Sequence, residues 1–107
     1  MKVHDVRAAA ATAVSANPTR PATALVHDAT GVRLVVFRIE PGQQVAPHTS
    51  DATVLLSVVE GRGTVTGGDE SAEVGPGDVI SYAPGELHGM RAGAETFKLI
   101  ATIIRPG

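Results

Sequence analysis

The chain contains no cysteine and no tryptophan, and only three aromatic residues, Phe37, Phe97 and Tyr82. Without cysteine there is no disulfide framework and no thiol catalysis, a composition that suits a reducing cytoplasm. With so few aromatics, valine, isoleucine, leucine and alanine must fill the interior, which favours a cavity lined by small side chains. No apolar stretch reaches the ~18 residues that a membrane span requires. Nine Lys and Arg and eleven Asp and Glu are scattered along the sequence, for a formal charge of -2. No basic cluster of the kind used for nucleic-acid binding is present. The alanine-rich segment after Met1-Lys2-Val3-His4-Asp5 lacks the strongly apolar middle of a signal peptide. A Ser/His/Asp nucleophile arrangement, a phosphate-cradling loop and zinc-finger spacing are all missing too. The expectation is a cytoplasmic protein that binds neither nucleic acid nor membrane.

A length of 107 residues fits one domain and is too short for two ordinary ones. Residues 1–20 read as a separable arm or short helix, and residues 21–107 as the folded domain. Val6 to Ala16 has alanine-driven helix propensity that Asn17-Pro18 would end. An extended arm lying across a partner subunit is the alternative. From Ala22 onward the pattern turns to β. Ala22–Asp28 and Val32–Glu40 flank Ala29-Thr30-Gly31, a tight hairpin signal. Further strand-like runs follow over Val45–His48, Thr53–Glu60, Thr64–Thr66, Ala72–Val74, Val79–Tyr82, Leu87–Arg91 and Thr96–Arg105. Glycine and proline clusters at short intervals between them indicate an all-β sandwich or barrel. There is no repeat at solenoid period.

His48 and His88 carry the chemistry. The first closes Pro41-Gly42-Gln43-Gln44-Val45-Ala46-Pro47-His48, and the hydrophobic run after it ends in Glu60-Gly61-Arg62-Gly63. The second closes Gly75-Pro76-Gly77-Asp78-Val79-Ile80-Ser81-Tyr82-Ala83-Pro84-Gly85-Glu86-Leu87-His88. Two imidazoles from two hairpins can converge inside a barrel, and histidine is the commonest metal ligand. By strand alternation His48 shares a face with Ser50, Ala52, Val54, Leu56 and Val58, whereas Thr49, Asp51 and Thr53 point away. His88 shares a face with Met90.

These two segments resemble the two motifs of the cupin superfamily. Gly42, His48 and Gly61 match the first motif, and Gly77, Gly85 and His88 match the second, with Pro84 one place later than the usual proline. The resemblance covers roughly residues 32 to 104. It implies a small double-stranded β-helix, or jelly-roll barrel of the RmlC-like kind, and a homodimer. It also exposes a departure. The second histidine of the first motif falls on Ser50, and its glutamate falls on Val54. Of the four side chains that hold metal in typical members, His48 and His88 remain.

Catalytic zinc usually has three protein ligands, and non-haem iron typically takes two histidines and a carboxylate. Asp51 supplies a third ligand only if the strand bulges, and Glu86 only by reaching back from its turn. The cofactor is therefore either absent or a weakly held divalent transition metal (zinc, iron, nickel or manganese).

The expected site is a pocket formed by His48, Ser50, Val54, His88 and Met90 that binds a small polar metabolite. A metal-dependent enzyme resembling dioxygenase or isomerase cupins, and a degenerate structural dimer, are the alternatives. Tyr82 is expected to pack in a strand with its hydroxyl near solvent, and Asp78 to cap a turn. His4 and His27 read as surface or interface residues. Arg33 and Arg38, on opposite faces of one strand, read as edge or interface residues, one of which could enter the cavity.

Overall fold

In the computed structural model, which describes residues 1–106, helix α1 (Val6–Thr12) precedes nine strands. These are β1 (Ala22–Ala29), β2 (Val32–Ile39), β3 (Gln44–His48), β4 (Thr53–Glu60), β5 (Gly63–Gly67), β6 (Glu70–Val74), β7 (Val79–Tyr82), β8 (His88–Ala92) and β9 (Phe97–Ile104). They form two antiparallel sheets, ordered β1-β2-β9-β4-β7 and β3-β8-β5-β6. Nearly every strand lies within a residue or two of its sequence-predicted range, because glycine and proline terminate each run where the apolar alternation stops. The fold is the expected all-β double-stranded β-helix with a short N-terminal helix. No helix among the described residues is long and apolar enough to cross a membrane.

Alternation along β4 and β9 builds the core. Val54, Leu56 and Val58 face inward from β4, and Phe97, Leu99 and Ala101 from β9. Leu56, Phe97 and Leu99 retain no exposed surface. Glycine permits the close approach at the far end of the barrel. Gly61 adopts φ +75°, and a Cβ there would lie 1.9 Å from the Thr96 carbonyl oxygen. At Gly63 a Cβ would meet the Phe97 ring at 2.4 Å.

The helix is shorter than its alanine content predicts, ending at Thr12 instead of continuing to Ala16. Asp5 caps its start by accepting the Ala8 N–H at 3.0 Å. At its end the Arg38 guanidinium donates to the carbonyls of Ala10 and Ala11, so the final turn needs no further helix to satisfy it. The chain then turns extended at Ala13, and β-branched Val14 bridges to Thr23 at the edge of β1. The segment packs on β1 and β2 of its own sheet rather than extending as an arm. It covers the outer face, where both Ala10 and Val36 are fully buried.

Candidate binding site at the barrel mouth

One end of the barrel gathers the last residue of β3, the first residues of β4 and β8, and the end of β7. His48 and His88 are directly opposed across the β3–β8 ladder. Their ring centroids lie 4.1 Å apart at 58°. A register shift brings them together. Val45 pairs with Met90 and His48 with His88, so three steps along β3 match two along β8. The extra residue reverses the parity of β3, placing His48 on the inward face with Val45. Pro47 occupies the bulge, where its missing N–H leaves no ladder bond unmade. Gly89 fits beneath: a Cβ there would sit 2.9 Å from Thr66 Oγ1 and 3.1 Å from the Pro47 nitrogen.

Hydrogen bonding fixes both imidazoles. His48 Nδ1 lies 3.0 Å from the Ala46 carbonyl oxygen, and His88 Nδ1 lies 3.1 Å from that of Glu86. A carbonyl oxygen only accepts, so each Nδ1 must carry the proton and donate it. In the neutral rings each Nε2 is then left as an acceptor. Neither Nε2 has a hydrogen-bond partner among the described residues. His88 is 5% exposed and His48 is open to solvent.

Tyr82 reaches this pair from the opposite sheet. Its ring centroid is 5.1 Å from that of His88, and its hydroxyl donates to the Thr66 carbonyl at 2.9 Å. The expectation of a hydroxyl near solvent is corrected: Tyr82 is only 3% exposed and ties β7 to β5. Burial pushes its phenol pKa up, and the negative charge of Glu86 adds to the shift.

Val54 pairs with Tyr82, and it and Met90 belong to the core cluster behind the histidines. Ser50 lies in the loop after β3, where its hydroxyl accepts the Ala52 N–H at 3.3 Å and its carbonyl accepts the Gly85 N–H at 2.8 Å. The Asp51 carboxylate faces solvent, with 82% of the side chain exposed, and accepts a 2.8 Å bond from Arg105 Nε. That hydrogen bond, reinforced by the positive charge, holds its pKa below the usual carboxylate value. Glu86 accepts the Ala83 N–H at 2.9 Å and lines a separate depression with Ser71 and Ile80. No group of three or more His, Asp or Glu able to hold a metal occurs among the described residues.

Arg33 pairs with Asp28, and Arg38 with the helix carbonyls and Glu40, so neither is the cavity arginine that sequence parity allowed. Asp78 caps its turn as expected, accepting the Gly75 N–H at 2.8 Å. His4 and His27 meet edge to face, with centroids 6.0 Å apart, away from the motif histidines. The sequence reading missed the bulge and the wedge made by Tyr82. Pro47 within a strand pattern was the available signal for the first.

The match to known proteins agrees with this geometry. The sequence profile of the cupin domain matches residues 35–103, more than half of the chain. An RmlC-like cupin protein from Desulfovibrio desulfuricans is 28% identical, with a TM-score of 0.80 over 97% of this chain and 96% of its own. A Thermus thermophilus protein is 25% identical, with a TM-score of 0.84 over 99% of this chain and 100% of its own. A double-stranded β-helix protein from Klebsiella pneumoniae is 21% identical, with a TM-score of 0.84 over 97% of this chain and 90% of its own. No curated protein of described function matches the sequence. Two facing antiparallel sheets, with His48 and His88 opposed at the mouth between them, thus join the sequence match in assigning the chain to the cupin family.

Proposed function

We propose that the barrel mouth binds a small polar metabolite through His48 and His88, acting as paired hydrogen-bond acceptors. The observation that carries this reading is the pair of Nδ1–carbonyl bonds. They leave two unpartnered Nε2 lone pairs on rings 4.1 Å apart. Two adjacent acceptors call for a ligand rich in donors, such as a polyol, an amine or an amide. Val54, Tyr82 and Met90 form the apolar wall behind them.

A metal-dependent enzyme is the second reading, because metal-ligating histidines commonly donate their other ring nitrogen to a carbonyl. The donor set does not fit a tightly held ion. Two imidazoles fall short of the three or four protein ligands that zinc sites use, and the carboxylates of Asp51 and Glu86 are engaged elsewhere.

Long-range ¹H–¹⁵N NMR of the histidine side chains tests the first reading. The expected result is the Nδ1–H form for both rings and a movement of both Nε2 resonances on adding polyols or amines at millimolar concentration. A panel of such compounds that moves neither resonance overturns it. So does a near-stoichiometric metal content that vanishes in the His48→Ala/His88→Ala variant.

Introducing the family ligands by Ser50→His and Val54→Glu is expected to create metal binding. The carboxylate introduced at position 54 would be buried beside Tyr82, so the melting temperature should fall without metal and recover when zinc or nickel is added. No recovery would mean that the alignment of these two positions is wrong. The reading also includes a homodimer, for which Val79, 64% exposed on edge strand β7, offers an apolar contact, and a cytoplasmic location, which the lack of cysteine suits. Sedimentation as a clean 10.9 kDa species would overturn the dimer.

A further inference from the structure

An apolar cleft lies between β1 and β3, edge strands of the two sheets. Its volume is about 450 Å³, within the range of small-molecule sites. Pro21, Phe37, Val45 and Pro47 supply its apolar lining. His48, whose ring meets that of His88, also lines it.

Arg20 lies at the opposite end. The chain around it is held near the start of β3, since Gln43 Nε2 donates to the Pro18 carbonyl at 2.8 Å. The Arg20 N–H donates to Asn17, and its carbonyl accepts the Ser15 hydroxyl. Its guanidinium has no hydrogen bond or ion pair among the described residues. Arg7, Arg33, Arg38 and Arg105 pair with carboxylates, and Arg62 and Arg91, which share the lack of such a partner, do not line this cleft. The length of β3 separates the two ends by about 13 Å, from four steps of roughly 3.3 Å. A guanidinium, an apolar lining and the His48 ring therefore belong to a single groove.

We infer that this cleft binds a medium-chain carboxylate bearing a hydroxyl at its far end. Its carboxylate pairs with Arg20, its methylene chain lies over Phe37 and Val45, and its hydroxyl donates to His48 Nε2. Arginine suits the acid end because its planar fork matches a carboxylate bidentately. The inference rests on the acceptor reading of the histidines and adds the class of ligand.

Titration calorimetry with 8-hydroxyoctanoate, octanoate and 1,8-octanediol tests it, with ¹⁵N shifts of the histidines recorded in parallel. Arg20→Gln is expected to weaken 8-hydroxyoctanoate about tenfold, the scale of one charge-assisted hydrogen bond, and to leave the diol unchanged. His48→Ala should weaken the hydroxy acid and the diol and leave octanoate unchanged. If the hydroxy acid fails to bind, or binds equally well to Arg20→Gln, the inference is wrong. In that case a diol that still moves both Nε2 resonances preserves the acceptor reading, and a diol that moves neither counts against both.

Discussion

At the far end of the barrel, backbone approaches backbone so closely that Gly61 and Gly63 leave no room for a methyl group against Thr96 and Phe97. At the mouth β3 and β8 arrive with imidazoles whose Nε2 acceptors are unmatched among the described residues. One end is closed by subtraction of side chains, the other kept open by a bulge that turns His48 inward. The difference separates the residues that carry stability from those to which the proposed binding is assigned. Residues near the closed end and the middle hold the sheets together, while the exposed His48 stands outside the core. Tyr82 stands between the two regimes, packed like a core residue and in contact with His88.

The largest effect is expected in the middle of the barrel. Leu99→Ala removes a fully buried side chain from the central strand β9 and should cost about 2–5 kcal/mol, read by urea denaturation. A cost below that range would mean that the barrel interior is looser than its burial indicates.

Tyr82→Phe should cost about 1 kcal/mol at neutral pH through the lost bond to Thr66. Because the folded phenol pKa is raised, the stability linked to it is fully present below the ordinary phenol value of about 10. It is lost as pH rises through the raised folded value. The gap between wild type and Tyr82→Phe should therefore narrow above about pH 10. A gap independent of pH would place the hydroxyl in water and erase the intermediate character assigned to this residue.

The smallest effect on stability belongs to His48→Ala, within about 0.5 kcal/mol, since the ring is solvent-exposed. Ligand binding at the mouth should nonetheless weaken. A large loss of stability would collapse the distinction between the two ends.

Strand positions were legible because β-branched runs alternate with Gly-Pro, Gly-Gly and Gly-x-Gly turns, a signal that needs no tertiary knowledge. The pairing of His48 with His88 was legible only through motif spacing. Simple alternation puts Val45 and His48 on opposite faces, and the bulge at Ala46-Pro47 puts them on one. Tyr82 was misjudged because its burial depends on a strand from the other sheet, and its hydroxyl partner is a backbone carbonyl that no sequence pattern marks. Helix length was overestimated for a similar reason: Arg38, far along the chain, supplies the stop.

The bond from the Gly85 N–H to the Ser50 carbonyl joins the loop after His48 to the turn before His88. It staples together two loops distant in sequence. Together with the direct pairing of His48 and His88, it fixes the loops that carry the imidazoles, so on the proposed reading little ordering would remain to be done on binding. Ser50 thus serves the pair through its main chain. Under the proposed binding role, a ligand that needed these two loops further apart would have to break the staple, so the bond would act as a caliper on what the mouth could accept.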